Sequence, residues 1–289
     1  MRNLELPDGT TLPVLGLGTW RMGEASATRD AEVASLRSAI ELGYRLIDTA
    51  EMYGDGGAET VVGLALAEAF RGGEVPREDM FVVSKVYPHN ASRRGTVSAC
   101  DRSRERLGLD CIDLYLLHWR GEHPLAETLE AMESLMAAGK VRSWGVSNLD
   151  VADLQELEAI TARRQAGHGR CAVNQVYYSL TERGPEFSLL PWMRARSMPL
   201  MAYSPIDQGS LAADDTLAEI GQARGLTAAQ VALAWVISRP GVVAIPKASS
   251  VAHLQENLAA ERAALSEHEL RLIDSRFPAP KKKTRLSMI

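Results

Sequence analysis

Short apolar runs alternate along this chain with amphipathic stretches. The runs are Val14–Gly18, Arg45–Asp48, Met80–Lys85, Ile112–His118, Val141–Ser147, Cys171–Gln175, Pro199–Tyr203 and Val242–Ile245. Their length and apolar content read as eight buried strands. The segments between them carry helix signals. Val33, Leu36 and Ile40 recur at helical spacing, with Gly43 where a C-terminal cap belongs. Pro124 opens a second helix, Leu125, Leu129, Met132 and Met136 line one of its faces, and Gly139 ends it. Thr227–Gln230 and Ser266–Glu269 read as capping boxes. Ahead of the first run, Leu4–Leu12 alternates about Pro7-Asp8-Gly9, a hairpin signal, because Asp-Gly supplies the positive φ of a tight turn.

Strand–helix alternation implies a parallel sheet with crossover helices. Eight such units with no linker predict one closed (β/α)₈ TIM barrel, an α/β fold of ordinary length at 289 residues. No Pro/Ser-rich stretch or repeat marks a boundary, so residues 1–289 are read as one domain. Residues 278–289, with Lys281-Lys282-Lys283, read as an extended tail. A lysine run is ordinarily a solvated end; the functional alternative is a tail folded over the barrel mouth.

Composition narrows the classes. A formal charge of −5 with no clustered basic face argues against nucleic acid. Cys100, Cys111 and Cys171 are too few and too scattered for a disulfide framework, which suits a reducing compartment. The first residues have no apolar signal region and no stretch reaches about 18 apolar residues, so no membrane role is expected and the reading is cytoplasmic.

Active sites of such barrels lie at the C-terminal strand ends. Three runs end there in an ionisable group, Asp48, Lys85 and His118, and Tyr53 follows Asp48 in the next loop. Singly, each is an ordinary loop residue; together they converge on one space. A phenol near pKa ~10 is a poor donor at neutral pH. A neighbouring lysine is expected to lower it, an aspartate to keep that lysine charged, and an imidazole to orient a carbonyl oxygen. Other chemistries fit less well. The six histidines form no His-Glu-x-x-His, so no metal is expected. Gly145-Val-Ser147-Asn-Leu149 lacks the second glycine of a nucleophile elbow, and Ser134 stands where a P-loop ending at Gly139-Lys140 needs glycine. Gly16-Leu-Gly18 is followed by Arg21 where a Rossmann fingerprint needs glycine. Two alternatives stay open: a lyase forming a Schiff base on Lys85, and a non-catalytic redox sensor that binds nucleotide.

The stretches Gly16-Leu-Gly-Thr-Trp20, Gly43-Tyr-Arg-Leu-Ile-Asp-Thr-Ala-Glu-Met-Tyr53-Gly54, Ser84-Lys85 and Leu114-Tyr-Leu-Leu-His118-Trp119 resemble the aldo-keto reductases, and within them bacterial methylglyoxal-reductase-like members. Gly145-Val-Ser-Asn148, Asn174-Gln175, Ala202-Tyr-Ser-Pro205 and Ile245-Pro-Lys247 extend the ordered set, which spans residues 16–257. The resemblance implies a barrel closed below by the hairpin and NADPH bound across the top, with NADH bound less tightly. It implies reduction of small aldehydes and ketones by a monomer. The family tetrad falls on Asp48, Tyr53, Lys85 and His118. Nicotinamide contacts fall on Ser147, Asn148 and Gln175, with Tyr203 stacking and Thr19 and Trp20 nearby. Ser204, Pro205, Ile206 and Ser210 match the segment over the pyrophosphate; Lys247, Ser250, His253, Glu256 and Asn257 match positions around the adenosine and its 2′-phosphate. Two places depart: Ala248 and His253 stand where a serine and an arginine are usual, which weakens the expected NADP selectivity. The loop after His118 is short, leaving an open pocket whose apolar faces are Trp20, Tyr87 and Trp119, beside Tyr53 and His118.

Overall fold

Strands buried on both faces need no polar alternation, and the runs here obey that rule: every residue of β5 (Phe81–Val86) and β6 (Ile112–Leu117) is buried. A computed structural model describes residues 2–163 and 169–289. Six further barrel strands are β3 (Leu17–Gly18), β4 (Leu46–Asp48), β7 (Val141–Ser147), β8 (Asn174–Tyr177), β9 (Leu200–Tyr203) and β10 (Val242–Ile245). β3 to β10 pair in chain order and in parallel. The ring closes where Gly16 N–H donates to Ala244 O (2.9 Å), Ala244 N–H to Val14 O (2.9 Å) and Gly18 N–H to Pro246 O (3.1 Å).

Helices α1 (Arg29–Glu41), α2 (Gly57–Gly72), α3 (Arg93–Leu107), α4 (Leu125–Ala137), α5 (Val151–Ala162) and α6 (Leu189–Arg194) each follow a strand. α7 (Asp215–Gln222) and α8 (Ala228–Ser238) both separate β9 from β10, and α9 (Val251–Glu261) and α10 (Glu267–Arg276) end the order. The capping boxes at Thr227 and Ser266 are formed as expected. The hairpin pairs β1 (Asn3–Glu5) with β2 (Thr11–Pro13), its turn carrying Gly9 at φ 84°.

Two apolar cores result. The inner one joins Leu46, Phe81, Val83, Leu114, Leu116, Met201 and Val243 to Leu6 and Leu12, so the hairpin plugs the barrel floor. The outer one packs Ile47, Val82 and Tyr115 against helix residues such as Leu36 and Leu66. Strand side chains alternate between the two. Leu46 therefore turns inward, Ile47 outward and Asp48 inward; Val83 inward, Ser84 outward and Lys85 inward. That parity aims the polar strand-end groups into the barrel's upper end.

Two expected strands differ in extent by more than one residue at an end. The first is regular only at Leu17–Gly18, with Leu15 making a single bridge to Ala244. The sixth starts at Asn174, not Cys171, and runs on to Tyr177, because its ladder with β9 continues to Tyr203. The tail from 278 has no regular structure, yet it is anchored. Lys283 Nζ lies 2.7 Å from Asp150 Oδ2, and Leu286 packs on the outer core.

Candidate active site

Lys85 occupies the middle of the site. Its ammonium has three protons, and three acceptors take them: Asp48 Oδ2 at 2.7 Å, Thr49 O at 2.9 Å and Tyr53 Oη at 3.2 Å. Asp48 Oδ1 accepts from Gln175 Nε2 (2.7 Å), which fixes the carboxylate from the far side of the barrel. The Tyr53 and His118 rings stand edge to face with centroids 5.7 Å apart. His118 Nδ1 is buried with no hydrogen-bond partner among the described residues. The three strand-end groups and Tyr53, expected to converge, do so.

Burial sets their proton affinities. It works to lower Lys85, but Asp48 and then Tyr53 outweigh it, so the ammonium is held above its ordinary range. Burial raises Asp48, opposed by Lys85 and Gln175. His118 falls well below its ordinary value, through burial and then the Lys85 charge, leaving a neutral imidazole at neutral pH. Tyr53 corrects the sequence expectation. Burial raises its phenol above 10, and the pull of Lys85 offsets only part of that rise. Enclosure outweighs a single charge here, because taking a phenolate out of water is the larger effect.

Above the tetrad lies a cavity of about 470 Å³ lined by Asp48, Tyr53, His118, Trp20, Trp119, Ser147, Asn148, Gln175, Tyr203, Ser204, Pro205, Ile206 and Lys247. A polar chain crosses its wall: Tyr203 Oη donates to Asn148 Oδ1 (3.0 Å), Asn148 Nδ2 to His118 O (3.1 Å), and Ser147 Oγ to Gln175 O (2.8 Å). Left-handed backbone at Asn148, Ser204, Asp207 and Gln208 concentrates around the same opening, where strain of this kind is expected of a ligand-holding segment.

Not every expected residue reaches it. Thr19 is buried beneath, donating to Asp48 O (3.0 Å). Tyr87 does not line the cavity; its ring packs 5.1 Å from that of Trp119, so it backs the wall. Ser210 donates to Asp207 Oδ2, and Ser250 caps α9 by accepting from His253 N–H (3.2 Å). Neither Ser250, His253, Glu256 nor Asn257 lines the cavity; His253 is exposed and Asn257 is buried beside Tyr44. Conversely, Arg21, Met52, Gln208, Met288 and Ile289 line it without having been singled out as site residues. Met52 adjoins Tyr53 and was findable on that ground. Arg21, stacked 4.5 Å from the Trp20 ring, carried only a negative signal, the missing Rossmann glycine. Met288 and Ile289 come from the tail, so the alternative of a tail folded over the mouth holds in place of a solvated end, although no pattern marked these two residues.

The residues fit a dinucleotide. Asn148, Ser147 and Gln175 cluster beside a half-buried tyrosine face, and Arg21 and Lys247 leave the lining positive once Asp48 is paired with Lys85. No group of three or more potential metal ligands is found among the described residues. No described helix is long and apolar enough to cross a membrane.

Strand-end tetrad, positive cavity and closed barrel together define a class, and comparison with known proteins agrees. The model of the aldo/keto reductase family matches residues 14–276, and the chain belongs to that family of oxidoreductases. It is 50% identical over 291 aligned residues to the methylglyoxal reductase YeaE of Escherichia coli (strain K12), across 99% of this chain and 98% of that protein. The glyoxal reductase of Bacillus subtilis (strain 168) is 33% identical over 274 residues, covering 94% and 91%. Among solved structures, an aldo/keto reductase from Klebsiella pneumoniae in complex with NADP and acetate shares 48% identity with a TM-score of 0.91 over 99% of each chain.

Proposed function

We propose that this protein reduces small aldehydes and ketones, of the methylglyoxal and aromatic-aldehyde kind, with NADPH as the preferred reductant and NADH as a weaker one. The observation that carries the reading is the contact of Lys85 Nζ with both Asp48 and Tyr53 directly below a cavity of this lining. Ser147, Asn148, Gln175 and Tyr203 are the residues that would hold a reduced nicotinamide, which when bound would supply the hydride for the carbonyl carbon.

The chain's own residues do the rest. Neutral His118 orients the carbonyl oxygen, and Tyr53 gives that oxygen its proton as the C=O bond becomes C–O⁻. An alkoxide is a far stronger base than a phenolate, so even a raised phenol donates to it. The phenolate left behind sits 3.2 Å from the Lys85 ammonium, which stabilises it until solvent restores the proton. Trp20, Trp119 and Met52 supply the apolar wall that excludes water from this step.

A Schiff-base lyase is disfavoured by the same geometry. That chemistry needs an unprotonated amine facing substrate; Lys85 is fully buried, has all three protons engaged, and is held as ammonium. A non-catalytic sensor would bind NADPH without consuming it. The test is multiple-turnover NADPH oxidation with methylglyoxal and with a plain aromatic aldehyde, comparing the native enzyme with Tyr53→Phe and Lys85→Met. The phenylalanine variant should slow by at least ~10²–10⁴-fold, the scale of general acid catalysis, with NADPH affinity unchanged. The methionine variant should lose turnover as well. Near-normal rates in either would remove that residue from the mechanism.

A further inference from the structure

Tyr53 sits in a segment that does not hold itself. Gly54, Asp55 and Gly56 follow it with successive φ of 57°, 51° and 87°, the middle one a non-glycine in the left-handed region. Such backbone persists only where its surroundings fix it. Two buried glutamates flank it, Glu51 on one side and Glu59 on the other.

Both glutamates reach α3, and each also reaches β5 or the loop just past it. Glu59 Oε1 accepts from Ser84 Oγ (2.5 Å), and its Oε2 faces Arg106 Nε (2.7 Å) and Nη2 (2.5 Å). Glu51 Oε1 accepts the Tyr87 N–H (2.7 Å) and Asn90 Nδ2 (3.0 Å), and its Oε2 lies 3.4 Å from Arg102 Nη2. Ser84 and Tyr87 bracket Lys85 at the end of β5. Arg102 and Arg106 are one helical turn apart on α3, hence on one face. Arg106 also packs against the segment itself: a Cβ on Gly56 would fall 2.6 Å from Arg106 Nε.

The geometry points to Glu59 and Glu51, gripped by Arg106 and Arg102 of α3, as positioning residues that set the distance between the Tyr53 oxygen and Lys85 Nζ. This rests on the proposed reduction with Tyr53 as donor. Neither glutamate touches the cavity, and each acts through the tyrosine and lysine that do. The Glu59 clasp is the stronger of the two, being shorter and having its glutamate fully buried.

A structural pair and a positioning pair can be separated. Buried ion pairs replaced together by apolar side chains of similar volume often leave stability unchanged. The triple variant Glu59→Leu, Ser84→Ala, Arg106→Met removes every polar partner at once. It is expected to keep the melting temperature while kcat falls roughly 10- to 100-fold, the effect of misplacing a reacting group by about 1 Å. The KM for NADPH should not move. Tyrosine ring-carbon NMR, with Tyr53 assigned by its absence in Tyr53→Phe, should show the Tyr53 ionisation midpoint displaced upward as Lys85 recedes. Full kcat with an unmoved midpoint would show that the clasp only packs. If the triple variant fails to fold, Arg106→Lys keeps the charge but not the Nε–H bond to Glu59 Oε2, and should give the same upward displacement with a smaller fall in kcat; an unmoved midpoint there overturns the proposal too. The NMR measurement needs neither substrate nor NADPH. An inactive native enzyme would therefore sink the reductase reading, whereas an active one without the displacement would sink the clasp.

Discussion

Enclosure raises the Tyr53 phenol while the Lys85 ammonium pulls against it, and His118 is driven well below its ordinary range. The pH consequence has a definite sign. Reduction requires the protonated phenol, whose midpoint lies above 10, so kcat should stay level from about pH 6 to 9 and fall only beyond that as the proton is lost. Alcohol oxidation requires the phenolate and should rise over the same range. His118 is neutral throughout; a reductive profile with a midpoint near 6.5 would instead make the imidazole the acid. Cofactor choice is the other question at this scale. Lys247 lines the cavity, but His253 stands outside it with its backbone engaged in the α9 cap. A guanidinium at that position could reach a 2′-phosphate with two parallel bonds. Replacing His253 with arginine should tighten NADPH binding by ~1–2 kcal/mol and leave NADH unchanged. Equal shifts for both, measured by fluorescence titration, would place residue 253 away from the phosphate.

Elements meet most tightly where β3's loop crosses the start of α2. Gly23, at φ 70°, is so close to Gly57 that a Cβ on it would fall 2.1 Å from the Gly57 carbonyl carbon. Backbone cannot yield there, so Gly23→Ala should destabilise by more than the ~1–2 kcal/mol of the left-handed conformation alone. Gly9 in the hairpin is the control: it is also left-handed, but a Cβ there meets nothing within 4 Å. Urea denaturation giving equal losses for the two alanine variants would mean that the α2 junction relaxes. Most elements were readable locally. The capping boxes at Thr227 and Ser266 and the Pro7-Asp8-Gly9 turn depend on neighbours three or four residues away, and they formed where expected. The start of β8 was not readable, because Cys171–Val173 is as apolar as a strand and only the reach of the neighbouring ladders decides where pairing becomes regular.

The tail belongs to the whole molecule. Lys283 binds Asp150 ahead of α5, Leu286 enters the outer core, and Met288 and Ile289 arrive at the cavity next to residues more than two hundred positions earlier. Ile289's main chain reaches the Tyr203 hydroxyl, which burial holds above its ordinary range. Removing residues 287–289 leaves these anchors in place, so the melting temperature should hardly change. Two apolar side chains leave the cavity wall, and each methylene of such a wall is worth ~1–3 kcal/mol of discrimination. The kcat/KM of a bulky aromatic ketone relative to methylglyoxal should therefore rise at least about tenfold. An unchanged ratio would mean that the tail does not meet the substrate.

Periodicity by itself determined the eight strand–helix units, and strand parity determined that Asp48, Lys85 and His118 share the barrel's interior, because side-chain direction alternates whatever the tertiary surroundings. Residue chemistry put forward Asp48, Tyr53, Lys85 and His118 as one cluster, and the fold brings the four side chains together. What only the folded chain decided are quantities that depend on enclosure and on distant partners. Tyr53 looked like a phenol lowered by a lysine; it is one raised by burial, since desolvation depends on every atom around it and not on the nearest charge. Tyr87 looked like a pocket wall and stands behind Trp119. Glu51, Glu59, Arg102 and Arg106 look in sequence like ordinary helix and loop charges, and become a clasp only when α3 packs beside the segment that carries Tyr53. Met288 and Ile289 complete a site that no pattern near them announces, because chain contacts made across the barrel mouth leave no local signature.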